Sequence, residues 1–422
     1  MGVQPAAAPE SVYAPVVSVT KDEAARARDA RPDDRLATPP VDGRIRIAVV
    51  GCGDVARRRY LPALAALADR VEILACVDRQ RGSADDAVAR VSAWSPSAHA
   101  YADIADAVST ERLDAVVNIT PAPVHAGVSQ ACLEADLHVY SEKPIAGSLA
   151  DADRLIATAA ERGLLLLCAP GVAVTRRFRW LAEITASDRL GRLTLAVAHH
   201  ADTGPATWRE YSGDPTVFYG PGVGPVFDHG VYRLHAMTLL MGPVARVQAM
   251  GAIATPWRVV RAGPLAGRTI AVTTPDHVLM HLEFAGGGLG QLLTSFAAPA
   301  TMAPWLELHF TKGTISFGGD SSDEDSPASM FFDDDSPLGL EGWVHDLRPP
   351  PPVDTTGVVE VGLAHFIDCF RGEAMPILTA EHARHVLDII LKAYESIDDG
   401  RSHDTETTFD RQPVSRAISP RR

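Results

Sequence analysis

A chain of 422 residues with 46% hydrophobic and 22% charged residues has ordinary globular usage, with length for two domains at ~100–200 residues each. Its formal net charge of −14 repels phosphate backbones, so nucleic acid is not an expected partner. The five cysteines are scattered without a C-x-x-C pair and read as small core residues in a reducing compartment rather than as metal ligands.

Residues 1–43 lack the apolar region of a secretory signal and carry neither helical nor strand period, so they are expected to be a disordered arm. No apolar run is long enough for a bilayer, which makes the cytoplasm the expected address and excludes a membrane partner. From Arg44 to Ala169, apolar runs (IRIAVV, VEILACV, LDAVVNI, LHVYS, LLLLCA) alternate with amphipathic stretches. That alternation predicts a parallel, doubly wound α/β sheet whose strands are buried on both faces.

After Pro170 the pattern changes. A helix is expected at about 176–186, the strand LTLAVAHH follows, and a Gly/Pro-rich loop runs into a helix at 226–241. Alternating strands at 244–254, 277–285, 290–296, 306–310 and 313–317 predict a large open, mostly antiparallel sheet of α+β type. The acidic stretch 320–335 and the prolines 349–352 read as a surface excursion ending in a polyproline II segment. Helices at about 358–371 and 381–398 close a second domain, 170–411, and residues 412–422 form a tail expected to be disordered.

VVGCGDVA at 49–56 lies directly after the first strand and before a helix, the context a dinucleotide fingerprint needs. Gly51 permits the tight turn and Gly53 the approach of pyrophosphate to backbone N–H groups, with Asp54 and Val55 completing the loop. Asp78 ends the second strand near the ~20-residue offset of a ribose-binding carboxylate. Its charge favours NAD over NADP, a preference that the adjacent Arg79 softens.

Two further segments fall outside the C-terminal ends of parallel strands, where chemistry in such folds is placed. NITPAPVH brings Thr120, Pro121 and His125 to the cofactor edge. SEKPIA presents Glu142, Lys143 and Pro144, and the Lys-Pro pair can be held through a cis peptide. In a helix, GPVFDHGVYRLH sets Asp228, Tyr232 and His235 on one face at i, i+4 and i+7, leaving His229 and Arg233 off it. The plainer reading of that face is a satisfied buried network that orients the domains.

In this order and spacing, VVGCGDVA, SEKPIA and DHGVYRLH resemble the Gfo/Idh/MocA family, the glucose-fructose oxidoreductase and inositol dehydrogenase relatives. The similarity spans about Arg44 to Phe409 and includes TPDHVLMHLEF, LLTSF and AEHARHVLDIILKAYES. It implies a nicotinamide cofactor, a sugar, polyol or glycoside substrate, and homodimers or homotetramers assembled through the open sheet. It also implies that Lys143 holds the reacting hydroxyl, with Asp228 and Tyr232 as its catalytic partners. Tyr232 carries the proton if Lys143 stays cationic and lowers the phenol's pKa; a desolvated, neutral Lys143 could itself be the base. Trp208 and His235 are further candidates for substrate contact.

Two rival functions remain on the sequence alone. One is a glycoside-cleaving enzyme that uses bound NAD in a transient redox cycle. The other is a sugar- or nucleotide-sensing regulator, against which Lys143 and Asp228 argue. No metal is expected, because the acidic stretch lacks the Gly and alternate spacing of a calcium loop.

Overall fold

The structure, a computed structural model, describes residues 43–411 except 188, 319–325, 334–338 and 350–356. The expected disordered arm, apart from Gly43, and the tail 412–422 therefore lie outside the described residues.

Six parallel strands build the first sheet: β1 (Ile45–Val50), β2 (Val71–Val77), β3 (His99–Tyr101), β4 (Ala115–Asn118), β5 (His138–Ser141) and β6 (Leu166–Cys168). Their order, β3-β2-β1-β4-β5-β6, reverses direction between β1 and β4. That reversal opens a crevice at the strands' C-terminal ends, where a doubly wound sheet binds its ligand. β1 and β4 are buried almost throughout, as strands covered on both faces must be. The helices between them are set by local chemistry. Ser148 caps Leu149–Arg162, accepting from the Asp151 N–H, and Gly163 ends it in the left-handed region at φ 64°.

The second sheet is mixed but mostly antiparallel. Its members are β7 (Leu193–Ala201), β8 (Val244–Ala252), β11 (His277–Phe284), β12 (Leu289–Ser295), β13 (Leu306–Phe310), β14 (Gly313–Phe317), β15 (Ala328–Phe332), β16 (Gly342–Leu347) and β17 (His403–Asp404). The short strands β9 (Trp257–Val259) and β10 (Thr269–Ala271) pair separately. Among the described residues of this sheet, only β7 and β12 run parallel.

The surface excursion expected over 320–335 is corrected for its described part. β15 pairs with β14 and β16 and alternates buried with half-buried residues, so Ala328, Met330 and Phe332 supply an inward face that the surrounding aspartates hide in the sequence. Residues 350–352 of the proline run lie outside the described residues.

The C-terminal segment returns to the first sheet. The Leu378 carbonyl accepts from the Cys168 N–H at 3.0 Å, and Arg70 pairs with Asp368 on the helix Val358–Phe370. One contiguous apolar core runs from Ile45 to Phe409 through both sheets.

Candidate active site

A cleft of 1610 Å³ lies between the two sheets. At its floor is the glycine loop. Gly51 has φ +93°, and a Cβ there would sit 2.6 Å from the Ile119 carbonyl oxygen, so only glycine fits. A Cβ on Gly53 would meet nothing within 4 Å; the space above it is open to the cleft. Asp78, at the end of β2, accepts from the N–H groups of Cys52 at 2.9 Å and Gln80 at 2.8 Å. An open glycine turn with a fixed carboxylate beside it fits a dinucleotide, with the pyrophosphate over Gly53 and a ribose near Asp78.

Asp54 lines the cleft beside Gly53, and its side chain ties the glycine loop to the second domain. Its Oδ1 accepts from the Ser212 N–H at 3.1 Å and hydroxyl at 2.5 Å, while Oδ2 accepts from Arg58 Nε at 2.6 Å. Its carboxylate is thus a clamp to the loop carrying Trp208. Arg57 adds a bond to the Ser212 hydroxyl at 3.1 Å. Val55, Arg79, Thr120 and Pro121 line the cleft.

The EKP segment supplies the reactive corner. Glu142 accepts from the Tyr60 hydroxyl at 2.6 Å and from the Lys143 N–H at 2.8 Å, so its carboxylate fixes the turn. The Lys143–Pro144 peptide is cis. Lys143 Nζ donates to Asp228 Oδ1 at 2.9 Å and to the Asp228 carbonyl at 3.0 Å, and lies 5.4 Å from the centre of the Tyr232 ring.

Burial by itself would lower the Lys143 pKa, but Asp228, Tyr232 and Glu142 together outweigh it and raise the value. Lys143 is therefore an ammonium at neutral pH, which decides against the neutral-base alternative. The phenol of Tyr232 moves the opposite way from the expectation. Burial pushes it up to about 12, more than Lys143 pulls it down. Both groups are proton donors.

Asp228 and Tyr232 come together as expected, but His235 does not. The helix opens with a π-helical turn, Val226–Gly230, before the α-helix Val231–Met241. A π turn rotates less per residue than an α turn and so shifts the face read from a uniform i, i+4, i+7 pattern. His235 also lies ~10 Å further along the axis than Asp228 at 1.5 Å per residue. It is buried against His382, with ring centres 4.5 Å apart, and is not a substrate contact.

His125 is likewise corrected. It lines the cleft, but its Nδ1 lies 2.7 Å from the Pro144 carbonyl oxygen and its Nε2 2.6 Å from that of Thr120. The ring joins the TPAP and EKP turns and positions both.

The same π turn brings into the cleft a residue the helical pattern left outside. His229 stacks on His200, with centroids 3.8 Å apart and planes at 10°, and Trp208 meets it edge-on at 5.6 Å. Asp202 Oδ2 is 3.4 Å from His200 Nε2, and Asp228 Oδ2 is 3.3 Å from His229 Nε2. The sequence signals are the H-x-D at the end of β7 and the D-H dipeptide; neither indicates that the two segments meet.

A parallel sheet with a glycine turn at its reversal point and two proton donors facing that turn defines a NAD-binding Rossmann oxidoreductase. Residues 45–169 match GFO_IDH_MocA, an oxidoreductase family with an NAD-binding Rossmann fold, and 178–316 match the GFO/IDH/MocA C-terminal domain. The chain belongs to the GFO/IDH/MocA oxidoreductase family.

The dTDP-3,4-didehydro-2,6-dideoxy-alpha-D-glucose 3-reductase of Actinomadura kijaniata is 29% identical over 278 residues, 63% of this chain and 79% of that protein. The myo-inositol 2-dehydrogenase of Thermotoga maritima is 25% identical over 218 residues, 51% of this chain and 60% of its own. The solved WlbA dehydrogenase from Chromobacterium violaceum, in complex with NADH and UDP-GlcNAcA, shares the fold. It has TM-score 0.66 and 21% identity, with 89% of this chain and 100% of that chain covered. Among the described residues no helix is long and apolar enough to cross a membrane.

Proposed function

We propose that this enzyme moves a hydride between NAD and a hydroxyl or keto carbon of a sugar-like substrate, acting as a keto-sugar reductase. The observation that carries the reading is the placement of Lys143, bonded to Asp228 at 2.9 Å, and of Tyr232 in the cleft beside the glycine turn. When bound, the nicotinamide supplies the hydride. Lys143 donates a hydrogen bond to the carbonyl oxygen and opposes the negative charge that grows there. Asp228 holds the ammonium in place, and Tyr232 delivers the proton that completes the alcohol. The A. kijaniata relative is a reductase by name, which supports the same direction. Asp78 opposes a 2′-phosphate and favours NAD over NADP.

Trp208 offers its face to a sugar ring beside the reacting corner. Leu279, paired with Met250 across β8 and β11, leaves an apolar strip on the open sheet, consistent with a homodimer or homotetramer built there. The glycoside-cleaving and sensing alternatives are not favoured.

The test is NADH consumption with a panel of keto sugars, dTDP-linked and free, and of inososes. One class should be reduced, and Lys143→Met should lower turnover about a thousandfold or more while NADH still binds, given losses of ~10²–10³ for a single electrostatic group. Retained turnover in Lys143→Met would overturn the assignment.

A further inference from the structure

The stacked histidines pose a problem of unpaired atoms. The Nε2 atoms of His200 and His229 and Oδ2 of Asp228 are all buried, and none has a hydrogen-bond partner among the described residues. Leaving a buried polar atom unsatisfied is costly, so three of them meeting in one corner are expected to have an occupant. The carboxylates at 3.3 and 3.4 Å are near enough to share that occupant, yet they do not form directed bonds to the rings.

We propose that His200, Asp202 and His229 bind a divalent transition-metal ion of the zinc type, with Asp228 Oδ2 beside it and an open coordination position facing the cleft. Ligand atoms from these three residues lie within 4.8 Å of one another. Atoms bound to one ion at ~2.0–2.2 Å are at most about 4.4 Å apart, so closure asks for a few tenths of an ångström in distance and for the two stacked rings to tilt until their in-plane lone pairs converge.

The donor set is two imidazoles and one or two carboxylates, which suits zinc, cobalt or iron(II) better than calcium or magnesium. Asp202 is already oriented, because its Oδ1 accepts from the Gly204 N–H at 2.7 Å, the kind of outer bond that aims a ligand.

The site joins the end of β7 and the residue that follows it to the π turn, two segments separate in sequence. His200, His229 and Asp228 all line the cleft, so the open position faces the space beside Lys143. Resting on the reductase reading, this points to a substrate with two adjacent oxygens, one held by Lys143 and its neighbour by the ion.

The experiment uses the full-length protein stripped with chelator and titrated with Co²⁺, followed by visible absorption. One equivalent should produce the d–d bands of a nitrogen- and oxygen-ligated ion, and Zn²⁺ should abolish them. His200→Ala and His229→Ala should each weaken Co²⁺ binding by at least about a hundredfold, whereas His199→Gln, whose Nδ1 faces the Pro304 carbonyl, should retain the spectrum. NADH fluorescence on the same samples reports the cofactor cleft independently, so failure of the metal site and failure of the reductase reading are distinguishable. No Co²⁺ spectrum in the wild type, or one that persists in both alanine variants, overturns the proposal. Should a variant fail to fold, the wild-type titration with Zn²⁺ competition still decides whether an ion binds, and Asp202→Asn supplies the ligand test.

Discussion

The helix 226–241 carries histidines toward two different neighbourhoods. At its first turn, His229 stacks on His200 in the cleft with its ring nitrogen unbonded and carboxylates nearby. Two turns on, His235 packs against His382, whose Nε2 lies 2.8 Å from the Thr238 hydroxyl, while His385 Nε2 accepts from the Val244 N–H at 3.0 Å and its Nδ1 lies 2.9 Å from the Thr407 hydroxyl. The inner cluster needs no ligand to satisfy His382 and His385. A buried imidazole with its partners in place is architecture, and one without them marks a site.

The largest effect that would sharpen this contrast lies at the cleft end. Tyr232→Phe removes only the phenolic oxygen, and turnover in the reductive direction should fall ~10²-fold or more if that oxygen carries the proton. With the phenol near 12, the wild-type reductive rate should hold through neutral and mildly alkaline pH and decline only toward that value. A Tyr232→Phe enzyme with near-normal steady-state turnover would move the proton donor to Lys143.

At the inner end the expected effect is on stability. Burial brings His235 to about 3 and His385 to about 4, and lowers His382 further below its ordinary range. The unfolded chain, with ordinary values near ~6.5, binds more protons below that pH than the folded one. Stability is therefore full above about 6.5 and falls as pH drops through it, by up to roughly 1.4 kcal/mol per pH unit for each histidine until the folded values are reached. Thermal midpoints from pH 7.5 to 5 check this, and an acid-insensitive midpoint would contradict the assignment. His235→Leu should flatten the slope.

Two smaller effects follow. Asp78→Ser should narrow the preference for NAD over NADP by several-fold in a binding titration, with little change in thermal midpoint. His235→Leu should keep turnover within about twofold of wild type. A large loss there would break the contrast by placing the inner cluster in the chemistry.

The parts legible in the sequence are those governed by local period and local turns. β13, β14 and the helix Arg176–Ala186 fall where alternation and helical spacing put them, and Gly51, Lys143 and Asp228 sit in motifs whose geometry is local. What the sequence hid depends on distant partners. His125 was indistinguishable from a ligand until the Pro144 carbonyl was seen against it. His229 was turned into the cleft by a π turn that a uniform helical period cannot represent, and its partner His200 arrives on another element. β15 was masked because its inward Ala328, Met330 and Phe332 lie between acidic segments that dominate the composition.

The Asp54 clamp has a kinetic meaning. Gly53 and Asp54 are chain neighbours, and Ser212, held by Asp54, is only four residues beyond Trp208, so a displacement of the glycine turn would carry through these bonds to the Trp208 wall of the cleft. If filling the dinucleotide crevice settles the wall around Trp208 in this way, the two ligands should add in compulsory order, nucleotide first. Product-inhibition patterns should show that order, and Asp54→Asn, which weakens the link to Arg58 and Ser212, should loosen it toward random addition.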